Sequence, residues 1–315
     1  MREDGPLQIL APVFNDWPAL RILIERVDGA LSDQGLTAEM LVIDDGSNTP
    51  SGEIVSKPLR ALTAVRVVSL RRNLGHQRAI AIGLAYAEAN LQPSAVLVMD
   101  GDGEDDPSDV PRLIEKCRAE SNRKIVFARR AKRSERIGFR LFYRLYRGVY
   151  WLATGTGVRI GNFSIVPRLM LTRVVSVPEI WNHYAGGVLK AKLPYDTIDA
   201  DRAKRFAGQS QMNFVALVMH GLSAISVNSD VLSVRLLLLM LCLTAVALGG
   251  SGWAIFAGLL IPRWLVLAIG LLVVLTAMTM FFMFLVLAAR STAQFIPQRD
   301  YHDFVQNVAV VAGGR

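Results

Sequence analysis

Cysteine is almost absent: Cys117 and Cys242 are the only two in 315 residues. One lies in a mixed stretch and the other inside a long apolar run, so a disulfide framework is excluded and a reducing compartment fits. Histidine is nearly as sparse. His76, His183, His220 and His302 show no metal-ligand spacing, which argues against a histidine-built zinc centre. Residues 1–6 carry no apolar leader, so the first domain is expected to stay in the cytoplasm. Charge is missing from 236–261 and again from 264–289, two runs of about 26 residues each. A bilayer core needs about 20 apolar residues, and buried core helices are usually shorter and keep a polar stripe. Two membrane spans are the expectation.

Elsewhere the chain is basic, with a net charge of +8. Such a surface suits nucleic acid, anionic headgroups or phosphorylated substrates, and the two apolar runs favour the last two. Arg235 precedes the first run, Arg290, Arg299 and Arg315 follow the second, and Arg263 lies between them. The positive-inside bias therefore places both ends of the hairpin in the cytoplasm, with a short turn at Pro262-Arg263 outside.

Before the spans, short β-rich runs alternate with helical patterns. Strands are expected at 8–13, 39–43, 65–69, 95–99 and 124–128, with a further one at 193–199; helices are expected at 18–32, 77–90 and 108–120. This alternation predicts an α/β domain built on a mostly parallel sheet. In such sheets ligands bind beyond the carboxyl ends of the strands. The polar residues gather there: Asn15-Asp16, Asp44-Asp45 and the stretch from Asp100 to Asp106. Arginines at 133, 136, 140, 144 and 147 share one face of a helical pattern over 134–154, beside Phe142, Tyr146 and Tyr150. That face suits a membrane surface or plain solvent. A second amphipathic pattern covers 212–227, just before the spans. The expected organisation is a catalytic-type domain over 1–210, an interfacial helix over 211–233, two spans within 234–290 and a tail over 291–315 whose end is mobile.

Four motifs carry chemistry. In Val98-Met99-Asp100-Gly101-Asp102-Gly103-Glu104-Asp105-Asp106 an apolar strand ends in alternating carboxylates. Asp100, Asp102 and Glu104 could converge on a hard divalent cation, Mg²⁺ or Mn²⁺, which takes oxygen ligands and shares them with phosphates. A solvated acidic turn that caps the next helix is the alternative. Leu41-Val42-Ile43-Asp44-Asp45-Gly46-Ser47 places carboxylates where a ribose or base could donate to them, though it also suits an ordinary turn. Arg71-Arg72-Asn73-Leu74-Gly75-His76-Gln77 precedes a helix whose first amides could face a phosphate. Arg205-Phe206-Ala207-Gly208-Gln209-Ser210-Gln211 sets an arginine beside a glycine-bearing loop, an arrangement that can clamp a diphosphate or simply form a surface loop.

In order, Pro12-Val13-Phe14-Asn15-Asp16, Asp44-Asp45-Gly46-Ser47, Asn73-Leu74-Gly75-His76-Gln77, Asp100-Gly101-Asp102 and Arg205 with Gly208 and Ser210 resemble the family 2 glycosyltransferases of GT-A fold. The nearest likeness is to the polyprenyl-phosphate sugar transferases; the Gly-His-Gln variant and the two-span tail resemble the bacterial glucosyltransferase branch. The resemblance implies that Pro12, Phe14 and Asp16 line the nucleotide pocket, with Asp16 replacing a glutamate. It implies that Asp44 or Asp45 holds the base or ribose, and that Asp100 and Asp102 engage ribose, diphosphate and metal. Glu104 replaces a glutamine beside the metal. Arg205 would hold the donor diphosphate, with Gln211 where a lysine is usual. Arg129, Arg130 and Arg140 would meet the acceptor phosphate. Two positions depart from the pattern: Arg159 stands where an acidic residue is common, and Asn162 where an aspartate is frequent.

The reaction so implied is inverting transfer of a hexose from a UDP- or GDP-linked donor to polyprenyl phosphate for cell-envelope glycan or lipid modification. The enzyme would sit in the bacterial inner membrane, with catalytic domain and both termini cytoplasmic. An alcohol acceptor would need a general base, whereas a phosphate monoester with a second pKa of about 6 does not. Arg159 is therefore expected to join the acceptor-phosphate site. The alternatives are a nucleotide-binding membrane scaffold that has lost activity, motivated by Arg159, Asn162 and Gln211, and a polysaccharide synthase, which usually has more spans and a Gln-x-x-Arg-Trp segment missing here. No nucleic-acid motif is present, and a homo-oligomer through the spans follows only by analogy.

Overall fold

The computed structural model describes residues 5–130, 160–201, 203, 205–207, 226–258, 262–295 and 300–312. The helical pattern at 134–154, most of that at 212–227, and Arg140, Arg159 and Gln211 lie outside the described residues. Two units are distinct: residues 1–140, 158–227 and 299–315 form one, and 141–157 with 228–298 the other.

The first unit is built on an eight-stranded sheet. Its strands are β1 (Leu7–Val13), β2 (Ala38–Asp44), β3 (Leu62–Leu70), β4 (Ala95–Val98), β5 (Ile125–Arg130), β6 (Ser164–Pro167), β7 (Tyr195–Ala200) and β8 (Val305–Ala312), in the order β7-β5-β6-β4-β1-β2-β3-β8. The central pairs β4-β1, β1-β2 and β2-β3 are parallel. β4 is four consecutive apolar residues, all buried, as expected of an interior strand covered on both faces. β6 is antiparallel to both β4 and β5, and β7 is parallel to β5.

Helices cover both faces: α1 (Trp17–Ser32), α2 (His76–Asn90), α3 (Asp109–Ala119), α4 (Arg168–Val175) and α5 (Tyr184–Lys190). Side chains alternate across a strand, and the two cores follow that rule. Ile9, Ala11, Met40 and Val42 pack with Leu20, Ile24 and Val27 of α1 and Leu113 of α3. Leu10, Leu41 and Ile43 pack on the other side with Ile80 and Leu84 of α2 and Tyr184 of α5.

β6 and β8 are the two strands absent from the sequence expectations. β8 falls within the segment expected to be a tail, pairing antiparallel with β3 from Val65↔Ala312 to Leu70↔Val305. The residues before it are anchored on the same unit. Tyr301 accepts from Asn90 Nδ2 at 2.6 Å and meets Tyr86 edge-on, and Phe304 lies against Trp181.

The second unit contains two long helices, α6 (Ser229–Phe256) and α7 (Arg263–Phe295). Both are long and apolar enough to cross a membrane, with mean hydropathy 2.5 over Ser229–Phe256 and 2.6 over Arg263–Val286. Only 6% of each apolar window is buried, unlike a soluble core helix. α6 starts seven residues before the run read from charge alone, because Asp230 and Arg235 lie in its first two turns. The helices pack along one another, and Thr244 and Thr276 hydroxyls are 2.8 Å apart across the contact. Trp253, Phe256 and Trp264 are exposed at the hairpin end, where aromatic rings suit a membrane interface.

Candidate active site

The site lies where the carboxyl ends of β1, β2 and β4 open into loops. The first two loops are stitched together by Asn15, which takes a positive φ of 54°. Its side-chain oxygen accepts from Asn48 N, Thr49 N and Thr49 Oγ1, and its own N–H donates to Ser47 Oγ at 2.9 Å. Pro12 is buried in β1, while Phe14 is exposed on the loop just beyond it.

The two aspartates after β2 have different duties. Asp44 is partly exposed and caps its own turn, accepting from Ser47 N at 2.9 Å. Asp45 is buried, and its two oxygens accept from Leu74 N at 2.8 Å and Gly75 N at 2.9 Å. Burial raises the Asp45 pKa, while those amides and His76 oppose the rise. Asp45 thus holds the loop before α2, whereas Asp44 holds only its own turn and stays partly exposed. Gly46, with φ 70°, lets the turn approach that loop: a Cβ there would lie 2.5 Å from the Arg72 carbonyl carbon.

Beyond β4, Asp100 Oδ1 lies 3.1 Å from His76 Nε2. The Asp100 N–H donates to Asp105 Oδ2 at 2.8 Å, so buried Asp105 shapes the turn. Asp102 accepts from Glu104 N at 3.0 Å through one oxygen and from Arg205 Nη1 at 3.1 Å through the other. Arg205 also bonds Asp16 through Nη2 and the Ala207 carbonyl through Nε. The strand-like contacts Ala203 N to Glu104 O and Phe206 N to Asp102 O bring Arg205 there. They need Gly103: at φ 86°, a Cβ would lie 2.2 Å from the Phe206 ring. Asp102 has a raised pKa, first from burial and then from the charges of Asp100 and Glu104, against the Glu104 amide and Arg205.

The structure therefore joins Asp16, Asp102 and Arg205, residues far apart in sequence. Convergence of Asp100, Asp102 and Glu104 is not found: among the described residues, no three His, Cys, Asp or Glu side chains form a group that could hold a metal ion. Asp100 is turned to His76 and Asp102 to Arg205. Arg129, at the end of β5, is committed to Asp199 of β7, with Nε at 2.9 Å and Nη2 at 2.8 Å from Oδ1. Arg130 ends the same strand. A small cleft beside these strand ends is lined by Glu104, Asp105, Ala128, Asn162, Phe163 and Asp201.

Sequence reasoning did not assign roles to His76, Gln77 or Asp105. The Gly75-His76-Gln77 spelling was the available signal for the first two; Asp105 was indistinguishable from its acidic neighbours.

A mixed sheet with this helical layering and carboxylates at the ends of β2 and β4 defines a GT-A-like α/β fold. Residues 8–174 match the model of Glycosyl transferase family 2, and the chain belongs to that family; it is a glycosyltransferase. It is similar to the uncharacterized glycosyltransferase YkcC of Bacillus subtilis, at 27% identity over 228 residues, covering 69% of this chain and 68% of that one. It is also similar to the undecaprenyl-phosphate 4-deoxy-4-formamido-L-arabinose transferase of Photorhabdus laumondii, at 24% identity over 285 residues, covering 81% and 83%. Among solved structures, mannosyl-3-phosphoglycerate synthase from Rubrobacter xylanophilus shares the fold, with TM-score 0.50, 13% identity and coverage of 71% and 73%.

Proposed function

We propose that this enzyme transfers a hexose from a UDP- or GDP-linked donor to polyprenyl phosphate at the cytoplasmic face of a bacterial inner membrane, with inversion. The carrying observation is one chain that combines a carboxylate-and-arginine site beyond β1 and β4 with two helices of membrane length. The name of the Photorhabdus relative supports a polyprenyl-phosphate acceptor.

Among the described residues the carboxylates beyond β4 do not converge as they stand, and Asp102, beside Arg205, is the oxygen donor that a hard divalent cation would take. The Asp102 pKa is raised first by burial and then by the charges of Asp100 and Glu104, and Arg205 is the cation paired with it. Asp102 would hold Mg²⁺ or Mn²⁺, which would supply charge neutralisation at the leaving diphosphate. Arg205 turns from Asp102 to that diphosphate, Asp44 takes the base or ribose, and Pro12, Phe14 and Asp16 border the nucleotide, with Gln211 contributing from the loop beyond Arg205. The sugar occupies the cleft near Glu104 and Asn162. In the transfer step a phosphate oxygen of the acceptor forms a bond to the anomeric carbon as that carbon's bond to the diphosphate breaks. The attacking oxygen is already deprotonated near neutral pH, so no general base is needed. Arg129, Arg130, Arg140 and Arg159 screen the acceptor charge, Arg129 after leaving Asp199.

The test is incubation of the full chain in detergent with undecaprenyl phosphate, Mn²⁺ or Mg²⁺ and a panel of labelled nucleotide sugars, followed by lipid extraction. Label in the lipid that is lost in Asp102→Ala is the expected result. Intact donors throughout the panel would overturn the acceptor assignment.

A further inference from the structure

Both oxygens of Asp102 are claimed by groups of the protein itself. Oδ1 accepts from Glu104 N at 3.0 Å and Oδ2 from Arg205 Nη1 at 3.1 Å. The other terminal nitrogen of that guanidinium, Nη2, bonds Asp16 Oδ2. Arg205 thus bridges two carboxylates that follow different strands, Asp16 beyond β1 and Asp102 beyond β4.

Backbone contacts keep the arginine at this place. Phe206 N donates to Asp102 O at 3.1 Å and Ala203 N to Glu104 O at 3.0 Å. Arg26 of α1 lies over the Phe206 ring, 5.6 Å from its centroid. The main chain at 205 is therefore fixed beside the acidic turn. The guanidinium is held separately, by Asp16, Asp102 and the Ala207 carbonyl, so it can change partners by side-chain rotation alone.

A hard divalent cation needs the same Asp102 oxygens. The guanidinium opposes it twice, by using a lone pair of Oδ2 and by repelling a like charge at contact distance. A nucleoside diphosphate reverses the balance. Its oxygens give the guanidinium bidentate partners and give the cation further ligands. Movement of Arg205 onto the diphosphate frees Asp102 Oδ2.

We propose that Arg205 competes with the divalent cation for Asp102, so that the cation binds tightly only together with a diphosphate that draws the guanidinium away. The inference rests on the reading that Asp102 and Arg205 serve the metal and the donor diphosphate. One substitution then has effects of opposite sign: without the guanidinium the cation alone binds more tightly and the nucleotide more weakly. The diphosphate raises cation affinity by the same factor as the cation raises diphosphate affinity. That factor should be larger in the wild type than in a chain lacking the guanidinium.

The test is titration of the full chain in detergent with Mn²⁺, alone and with saturating UDP or GDP, read from the electron paramagnetic resonance of the free ion. Calorimetry of the nucleotides and thermal unfolding accompany it. Arg205→Gln, which keeps a hydrogen for Asp102 but no charge, should unfold at the wild-type midpoint. It is expected to bind Mn²⁺ alone roughly tenfold more tightly than the wild type and nucleotide roughly tenfold more weakly, each the scale of one charged contact. Arg205→Lys keeps the charge beside Asp102 and should bind Mn²⁺ alone about as weakly as the wild type does. Mn²⁺ retention by Arg205→Gln no greater than that of the wild type, including none by either, would overturn the inference, and nucleotide binding by the wild type would leave the donor site standing. No nucleotide binding by the wild type would overturn the donor-site reading and this inference together.

Discussion

Arg205 donates from Nη1 to Asp102 Oδ2 at 3.1 Å, so the cation of one motif rests on the carboxylate of another. With 19% of its side-chain surface exposed, Arg205 can exchange this partner for a phosphate without unpacking the sheet. Removing it should therefore spare the fold and damage the chemistry. Arg205→Ala is expected to lower kcat by about a hundredfold or more, the usual scale for losing one donor to developing negative charge. Arg205→Lys should recover little of this, because an ammonium cannot span two phosphate oxygens as a guanidinium does. Steady-state kinetics with matched unfolding curves check both. A loss that tracks the folded fraction would make Arg205 structural.

Asp28 provides a stability test away from the site. Buried in α1, it accepts from the N–H groups of Arg60, Ala61 and Leu62, fixing the entry to β3. Burial raises its pKa, but the three amides and Arg60 outweigh burial and hold it below the ordinary value. Its stabilisation is therefore complete above the unfolded-state pKa near pH 4 and is lost as pH falls through the lower folded-state value. Asp28→Ala should cost about 3 kcal/mol by leaving buried donors unmatched, and Asp28→Asn about 1 kcal/mol because an oxygen remains. Denaturant unfolding at pH 7 and at pH 3 checks both magnitude and sign: the wild-type advantage over Asp28→Asn should shrink at the lower pH.

In the second unit the Thr244–Thr276 bond invites overvaluation. Thr276 also donates within its own helix, to Leu272 O at 2.9 Å, and hydroxyl pairs between membrane helices average only about 0.6 kcal/mol. Thr276→Val, close in shape, is expected to change detergent unfolding by less than about 1 kcal/mol and to leave transfer unaffected. A collapse of stability would show that the pair carries the hairpin.

The parallel core of the sheet was legible because β1, β2, β3 and β4 are local apolar runs punctuated by polar turns. β6 escaped because its four residues, Ser164–Pro167, are too few to show a period. β8 escaped for another reason: its pairing with β3 lies across the apolar spans, and no local pattern encodes a partner that distant. The site divided in the same way. Residue types at strand ends pointed to Asp44, Asp100 and Asp102. The division of labour between Asp44 and Asp45, and the capture of Asp102 by Arg205, depend on which amides and cations the fold brings up. The resemblance placed Asp102 and Arg205 in one site, but their direct contact required coordinates.

β8 also constrains how the chain meets a membrane. Strands hydrogen-bonded in one sheet occupy one side of a bilayer, so the chain between β7 and β8 must cross an even number of times. Under the proposed topology α6 and α7, both long and apolar enough to cross, would supply two crossings, and Tyr301 and Phe304 hold residues 300–312 on the first unit. Asn307→Cys in β8 and Ser51→Cys in the loop after β2 should react with an impermeant maleimide from the same face, and Arg263→Cys at the hairpin end from the opposite one. The native thiols interfere little: burial pushes Cys117 up to about 11, leaving it protonated at neutral pH, and Cys242→Ser removes the other. Labelling of positions 51 and 307 from opposite faces would break the sheet assignment of β8. Deleting residues 300–315 should uncover the β3 edge, leaving a row of unpaired backbone groups that lowers the unfolding midpoint and drives aggregation. A truncated chain that stays monodisperse at the wild-type midpoint would show that β8 adds nothing to the catalytic unit.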